Sequence, residues 1–132
     1  MSNKKPILLI EDEEVDVMRV KRSLKDINIQ NPLVVAGNGK EGLEYLENKN
    51  NLIPALILLD VIMPIMDGME FLKIIKENKK FKDIPIIMLT SSKDEKNWVE
   101  SLKLNVHGFL YKSEEYKDFV DTLKAIEYVL IN

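Results

Sequence analysis

The stretch Pro54-Ala55-Leu56-Ile57-Leu58-Leu59-Asp60 decides how this chain folds. From Ala55 to Leu59 every position is apolar, without the alternation of a strand that has one wet face. Such a run reads as a strand covered on both sides, the condition of a parallel sheet. Proline cannot donate to a sheet ladder, so Pro54 marks where the run begins. The same punctuation recurs in both directions along the chain. Pro6 precedes Ile7-Leu8-Leu9-Ile10, Pro32 precedes Leu33-Val34-Val35-Ala36, and Pro85 precedes Ile86-Ile87-Met88-Leu89. A fifth, weaker run is Gly108-Phe109-Leu110-Tyr111.

Helical patterns separate the runs. Val15, Met18, Leu24 and Ile27 predict a first helical stripe, Leu43 and Leu46 a second, and Phe71, Leu72, Ile74 and Ile75 a third. Trp98, Val99 and Leu102 mark a fourth, with Trp98 expected partly in the core. Phe119, Leu123, Ile126 and Leu130 form the stripe of a fifth, at spacings of four, three and four. Strand and helix alternate five times with no linker, repeat or low-complexity tract. Right-handed crossovers then give one doubly wound α/β domain over residues 1–132, with helices on both faces of a parallel sheet. Five strands so spaced most often take the order 2-1-3-4-5.

Composition narrows the function. Nineteen basic and 22 acidic residues leave a net charge of −3, a poor match to a nucleic-acid backbone, which demands a basic patch. There is no cysteine, which removes disulfides, thiolate zinc sites and cysteine nucleophiles, and suits a reducing cytosol. His107 is the only histidine and reads as a loop residue, so no histidine-rich metal site can be built. The N-terminus lacks a signal-peptide pattern, and no apolar stretch approaches the roughly 20 residues that span a bilayer. A soluble cytoplasmic protein without an output domain is expected.

Open α/β sheets bind ligands outside the carboxyl ends of their strands. Those ends carry Glu11-Asp12-Glu13-Glu14 after the first strand, Asp60 at the end of the third, Thr90-Ser91-Ser92 at the fourth and Lys112-Ser113 at the fifth. Each group has an ordinary explanation when taken singly. Acids favour a helix N-terminus, an Asp after a strand turns the chain, Thr and Ser cap helices, and a Lys is usually solvated. Their convergence on one pocket is what carries weight. Clustered carboxylates raise each other's pKa, and a hard cation such as Mg2+ relieves the repulsion through oxygen ligands. A carboxylate beside Mg2+ can also attack phosphorus, with the metal and a fixed lysine neutralising the transferring oxygens.

Four stretches then resemble the receiver domains of bacterial two-component response regulators. They are Ile7-Leu8-Leu9-Ile10-Glu11-Asp12, Leu58-Leu59-Asp60-Val61-Ile62-Met63-Pro64-Ile65-Met66-Asp67-Gly68, Pro85-Ile86-Ile87-Met88-Leu89-Thr90-Ser91 and Gly108-Phe109-Leu110-Tyr111-Lys112. The resemblance runs from Ile7 to about Ile131 and implies the flavodoxin-like receiver fold. It implies that Asp60 accepts a phosphoryl group from a histidine kinase in a Mg2+-dependent reaction, as a switch rather than an enzyme in its own right. Asp12 then ligates Mg2+ directly, Glu11 acts through water, and Ile62 lends its backbone carbonyl. Thr90 and Lys112 bond the phosphoryl group, and Phe109 is the aromatic switch residue. Pro64 and Asp67-Gly68 shape the loop and open the third helix.

Departures from the family pattern matter too. Ser113 stands where most receivers have proline, which leaves the loop after the fifth strand undetermined. Phe109 replaces the commoner tyrosine, so no switch hydroxyl is available. Ile62 and Ser92 flank the phosphoryl site, and Ile62 has no polar group to orient an attacking water, so slow self-dephosphorylation is expected. Lys112-Ser113 and Asn105-Val106-His107-Gly108-Phe109-Leu110 resemble the single-domain receivers paired with phytochrome histidine kinases. A kinase of another sensory type stands beside that partner. The readout is expected on the fourth helix, fifth strand and fifth helix. There the apolar surplus of Tyr116, Val120, Tyr128, Val129 and Ile131 points to a downstream or relay protein, or to a homodimer, as much as to a wide core face. Three rival readings fit less well. A Mg2+-dependent phosphohydrolase wants an acid where Ile62 stands, a receiver that no longer takes phosphate would not keep the acids, Thr90 and Lys112, and a nucleotide or flavin binder wants a glycine-rich first loop.

Overall fold

The prolines that open the strands still serve the sheet through their carbonyls. Pro32 O accepts from Ile7 N at 2.8 Å, Pro6 O from Ala55 N at 2.9 Å, and Pro85 O from Ile57 N at 2.9 Å. In the computed structural model, which describes residues 4–125, 127 and 130, five strands form one parallel sheet in the expected order β2-β1-β3-β4-β5. The elements in chain order are β1 (Ile7–Ile10), α1 (Glu14–Asp26), β2 (Leu33–Ala36), α2 (Gly39–Glu47), β3 (Leu56–Asp60), α3 (Gly68–Lys76), β4 (Ile86–Thr90), α4 (Lys93–Ser101), β5 (Gly108–Tyr111) and α5 (Tyr116–Lys124).

The strands β1, β3 and β4 are buried at every position. Side chains alternate across the sheet. Leu8, Ile10, Ile57, Leu59 and Met88 meet Leu46 of α2, Phe71, Leu72 and Ile75 of α3, and Val99 of α4. Ile7, Leu9, Leu56, Leu58 and Leu89 meet Val20 and Leu24 of α1 and Phe119 and Leu123 of α5. Both faces are therefore covered, as the unbroken apolar runs require.

Three of the expected stripes shift. Val15 and Met18 of α1 are 76 % and 62 % exposed, and the buried stripe is Val17, Val20, Leu24 and Ile27. At about 100° per residue, Val17 and Leu24 lie nearly in line, whereas Met18 and Leu24 diverge by about 120°. Ile74 and Trp98 also turn outward, Trp98 half exposed, while Ile75 and Val99 take the core positions beside them. In the fifth stripe Phe119 and Leu123 are buried and Leu130 packs against the same core. Ile126, Tyr128, Val129 and Ile131 lie outside the described residues. No helix among the described residues is long and apolar enough to cross a membrane.

Candidate functional site

Parallel strands end on one side of the sheet, and the ladder runs one residue past each end. Glu11 N donates to Ala36 O at 2.9 Å, Val61 N to Leu89 O at 3.2 Å, and Lys112 N to Thr90 O at 2.8 Å. The backbone beneath Glu11, Asp60 and Lys112 is thereby held rigidly. An open cleft of about 400 Å³ sits above it, lined among others by Asp12, Asp60, Ile62, Ser91, Glu95 and Lys112.

Glu11, Asp12, Glu13, Asp60, Ser91 and Lys112, all strand-end residues expected from the sequence, reach this region. Carboxylate oxygens of Glu11, Asp12 and Asp60 lie within 4.8 Å of one another. Glu11 and Asp60 are buried and Asp12 is exposed. The Lys112 ammonium stands 2.7 Å from Glu11 Oε1, 2.9 Å from Asp60 Oδ1 and 3.2 Å from Asp16 Oδ2. Thr90 is fully buried, and Ile62 is 56 % exposed at the cleft. Phe109 is half-buried against the α2–α4 core, with the Lys96 ammonium 5.4 Å from its ring centre.

The electrostatics follow from burial. Desolvation pushes Glu11 up to about 8, helped by the Asp60 charge and opposed by Lys112. Asp60 is raised for the same first reason, again opposed by Lys112. Burial alone would lower Lys112, but the Glu11 and Asp60 carboxylates reverse this and carry it above the ordinary lysine value. One cation therefore faces three carboxylates at close range. Glu11 Oε2 takes the Glu13 N–H at 3.1 Å, whereas the buried Oε1 has no hydrogen-bond donor in good geometry despite its closeness to the ammonium. A buried carboxylate oxygen with spare lone pairs, beside two further acids, fits a hard divalent cation.

The loop after Asp60 is shaped by Gly68. Its N–H donates to Val61 O at 2.9 Å, and Asp67 caps α3 by accepting from Glu70 N at 2.9 Å. A Cβ on Gly68 would sit 2.0 Å from the carbonyl oxygen of Asp60. In a free helix alanine would be favoured over glycine, but here backbone must move. Gly68→Ala is expected to destabilise the protein by about 3 kcal/mol, the upper end for overpacking. A urea midpoint unchanged from wild type would contradict this.

Three residues in the site went unnoticed in the sequence. Asp16 lies in the first turn of α1, four residues after Asp12, and that spacing was the only hint. Arg19 donates from both terminal nitrogens to Lys112 O and Glu114 O, and stacks 4.5 Å from the Phe119 ring centre. That clamp holds the loop around Ser113, which the sequence left undetermined. No cis peptide occurs among the described residues. Glu95 lies in the cleft and accepts from Ser91 N at 2.9 Å and from Thr90 Oγ1 at 3.2 Å. Its only signal was a position three residues after the cap Ser92.

A 2-1-3-4-5 doubly wound sheet with acids, a hydroxyl and a lysine at its carboxyl edge defines the receiver class of signalling domain. The response regulator receiver domain family matches residues 7–124, and the chain belongs to it, placing it in two-component signalling. Response regulator Rcp1 of Synechocystis sp. is 37 % identical over 127 residues, covering 93 % of this chain and 86 % of that protein. The Mn2+-bound structure of Rcp1 superposes with a TM-score of 0.80 over 93 % of this chain and 91 % of the other. The bacteriophytochrome response regulator AtBRR is 36 % identical, with a TM-score of 0.83 over 98 % of this chain and 94 % of that one. The phosphorylated cyanobacterial phytochrome response regulator RcpA is 31 % identical, with a TM-score of 0.83 over 98 % and 95 %. Phytochrome response regulators are thus among its relatives, the subgroup to which Asn105–Leu110 and Lys112-Ser113 pointed. Receiver domains of this family partner with histidine kinases and act as phosphoacceptor switches.

Proposed function

We propose that this chain is a cytoplasmic response regulator receiver that accepts a phosphoryl group on Asp60 from a sensor histidine kinase of phytochrome type. The observation that carries the reading is the Lys112 ammonium held between Asp60 and Glu11 at the cleft floor. An Asp60 oxygen attacks the phosphorus, the bond to the donor's imidazole nitrogen breaks, and the imidazole departs with that electron pair. Lys112 then follows the new charge onto the phosphoryl oxygens, and the Thr90 hydroxyl turns toward them. Glu11 through water, Asp12, Asp60 and the Ile62 carbonyl would hold Mg2+, which supplies a positive charge against the transferring oxygens when bound. That Rcp1 has a Mn2+-bound form and that RcpA has been seen phosphorylated support a divalent metal and a phosphoryl group as this chain's ligands.

The readout is a phosphorylation-dependent protein surface on α4, β5 and α5, for a downstream or relay protein or a second copy of the chain. Thr90 and Phe109 couple the site to it. The exposed apolar residues Val15, Met18, Ile62 and Ile65 lie on the helix and loop that leave the cleft, on the side from which a kinase would approach.

Intact mass after incubation with acetyl phosphate tests the reading. One phosphoryl mass is expected with Mg2+ and none with EDTA. Because Ile62 presents no polar side chain to an attacking water, the added mass is expected to outlast minutes after the donor is removed. No added mass under either condition, in a folded protein and with a cognate kinase also supplied, would overturn it.

A further inference from the structure

Resting on the phosphoacceptor reading, we propose that Glu95 is a built-in competitor of the phosphoryl group, an anion already seated on donors the phosphate must win. One oxygen of Glu95 accepts from both Ser91 N, at 2.9 Å, and Thr90 Oγ1, at 3.2 Å. These are the amide and hydroxyl at the end of β4, and the Glu95 side chain lines the same cleft as Asp60 and Lys112.

This is not ordinary helix capping. In a capping box the Glu at the third helical position accepts from the N–H of the capping residue itself. Ser92 is the cap of α4, and its hydroxyl does accept from Glu95 N at 3.2 Å. Yet the Ser92 N–H faces Thr90 Oγ1 at 3.4 Å, and Glu95 reaches one residue further back, to Ser91. The departure places its carboxylate against the Thr90 hydroxyl. That hydroxyl has one proton, shared between Glu95 and Ser92 O at 2.9 Å, and both acceptors lie on the α4 side. To bond a phosphoryl oxygen, Thr90 must abandon them, and Glu95 must yield the Ser91 N–H or accept repulsion from a second anion. Glu95 therefore holds the unphosphorylated arrangement and sets how much phosphoryl binding is needed to move Thr90 and the start of α4.

Beryllium fluoride with Mg2+ is the probe, a phosphoryl mimic that needs no kinase. Fluorescence of the single tryptophan, Trp98 on the same helix, reports its midpoint. Glu95→Ala is expected to lower the midpoint about tenfold, the size of one charge-assisted hydrogen bond. Glu95→Gln keeps the shape and an oxygen acceptor but loses the charge, and is expected to fall between, at about threefold. In a Thr90→Ala background the Glu95→Ala gain is expected to shrink to about threefold or less, as coupled partners require. Glu95 variants that bind the probe no better than wild type would overturn the competition while leaving Asp60 as the acceptor. An undiminished gain in the Thr90→Ala background would overturn the link to Thr90. Wild type that binds no probe, like Asp60→Asn, would overturn both readings.

Discussion

Asp60→Asn is expected to abolish phosphoryl uptake completely and, with metal absent at pH 8, to raise stability rather than lower it. The first half follows from the missing oxyanion, since an amide nitrogen is no nucleophile toward phosphorus. The second half follows from crowding. Glu11 and Asp60 are both buried, and both have pKa values raised above their ordinary range, Glu11 to about 8. A carboxyl whose folded pKa is raised holds its proton more tightly in the folded state. Its stabilising share is whole below the ordinary value near 4.5 and is lost as pH climbs through about 8. Within that window each fully titrating group costs about 1.4 kcal/mol per pH unit. Asparagine removes one buried charge and one source of the rise in Glu11, while Lys112 keeps Glu11 at 2.7 Å and Asp16 at 3.2 Å. A gain of about 1–2 kcal/mol at pH 8 in EDTA is expected, vanishing toward pH 5. Urea midpoints at the two pH values check it, with intact mass after acetyl phosphate on the same samples. A lower midpoint at pH 8, or a retained phosphoryl mass, would count against the site as described.

Lys112→Met should move stability in the opposite direction and by more. It keeps most of the side-chain volume and removes the ammonium that faces Glu11, Asp60 and Asp16. Stripping one partner from a buried ionic cluster costs about 3–5 kcal/mol. For a domain of this size that corresponds to a fall in Tm of about 10 °C or somewhat more. The loss is expected to be greatest at pH 8 in EDTA, where the carboxylates are most nearly ionised. It should shrink toward pH 5, as Glu11 and Asp60 take up protons. Mg2+ at pH 8 should restore part of it, because the metal replaces the missing positive charge among the same oxygens. Thermal melts at two pH values, with and without Mg2+, separate this account from its competitor. A loss indifferent to pH and metal would mean that Lys112 acts through packing of its aliphatic stem.

The two variants bracket the same balance, and Arg19 is part of why it is held so tightly. Its guanidinium fixes the carbonyls of Lys112 and Glu114 and leans on Phe119, so the loop that carries the ammonium is anchored to α1 and α5 together.

Much of this was legible along the chain. Unbroken apolar runs such as Leu56–Leu59 could only be strands buried on both faces, and in a parallel sheet every strand ends on the same side. The residues after those runs share that edge, and Glu11, Asp12, Asp60 and Lys112 meet there, with Thr90 beside Lys112 on the backbone ladder. Chain direction alone puts them on one edge of the sheet, and the usual winding of five such strands brings them side by side. The rest depended on the phase of each helix and on contacts between distant segments. Val15 and Met18 looked like core until the rotation of α1 turned Val17 and Val20 inward in their place. Arg19 and Lys112 are 93 positions apart, and nothing local pairs them. Glu95 sits at the spacing of an ordinary cap, and only the folded geometry carries its carboxylate past Ser92 to Ser91 and Thr90. The amino-acid sequence by itself determined the parallel sheet and the acids at its edge, because these follow from burial and backbone direction, whereas the strand order was an expectation from how such sheets usually wind and the tertiary structure decided it. Which charges surround Lys112, and which anion holds Thr90, only the tertiary structure decided, because helix rotation and packing place side chains to within an ångström where sequence spacing does not.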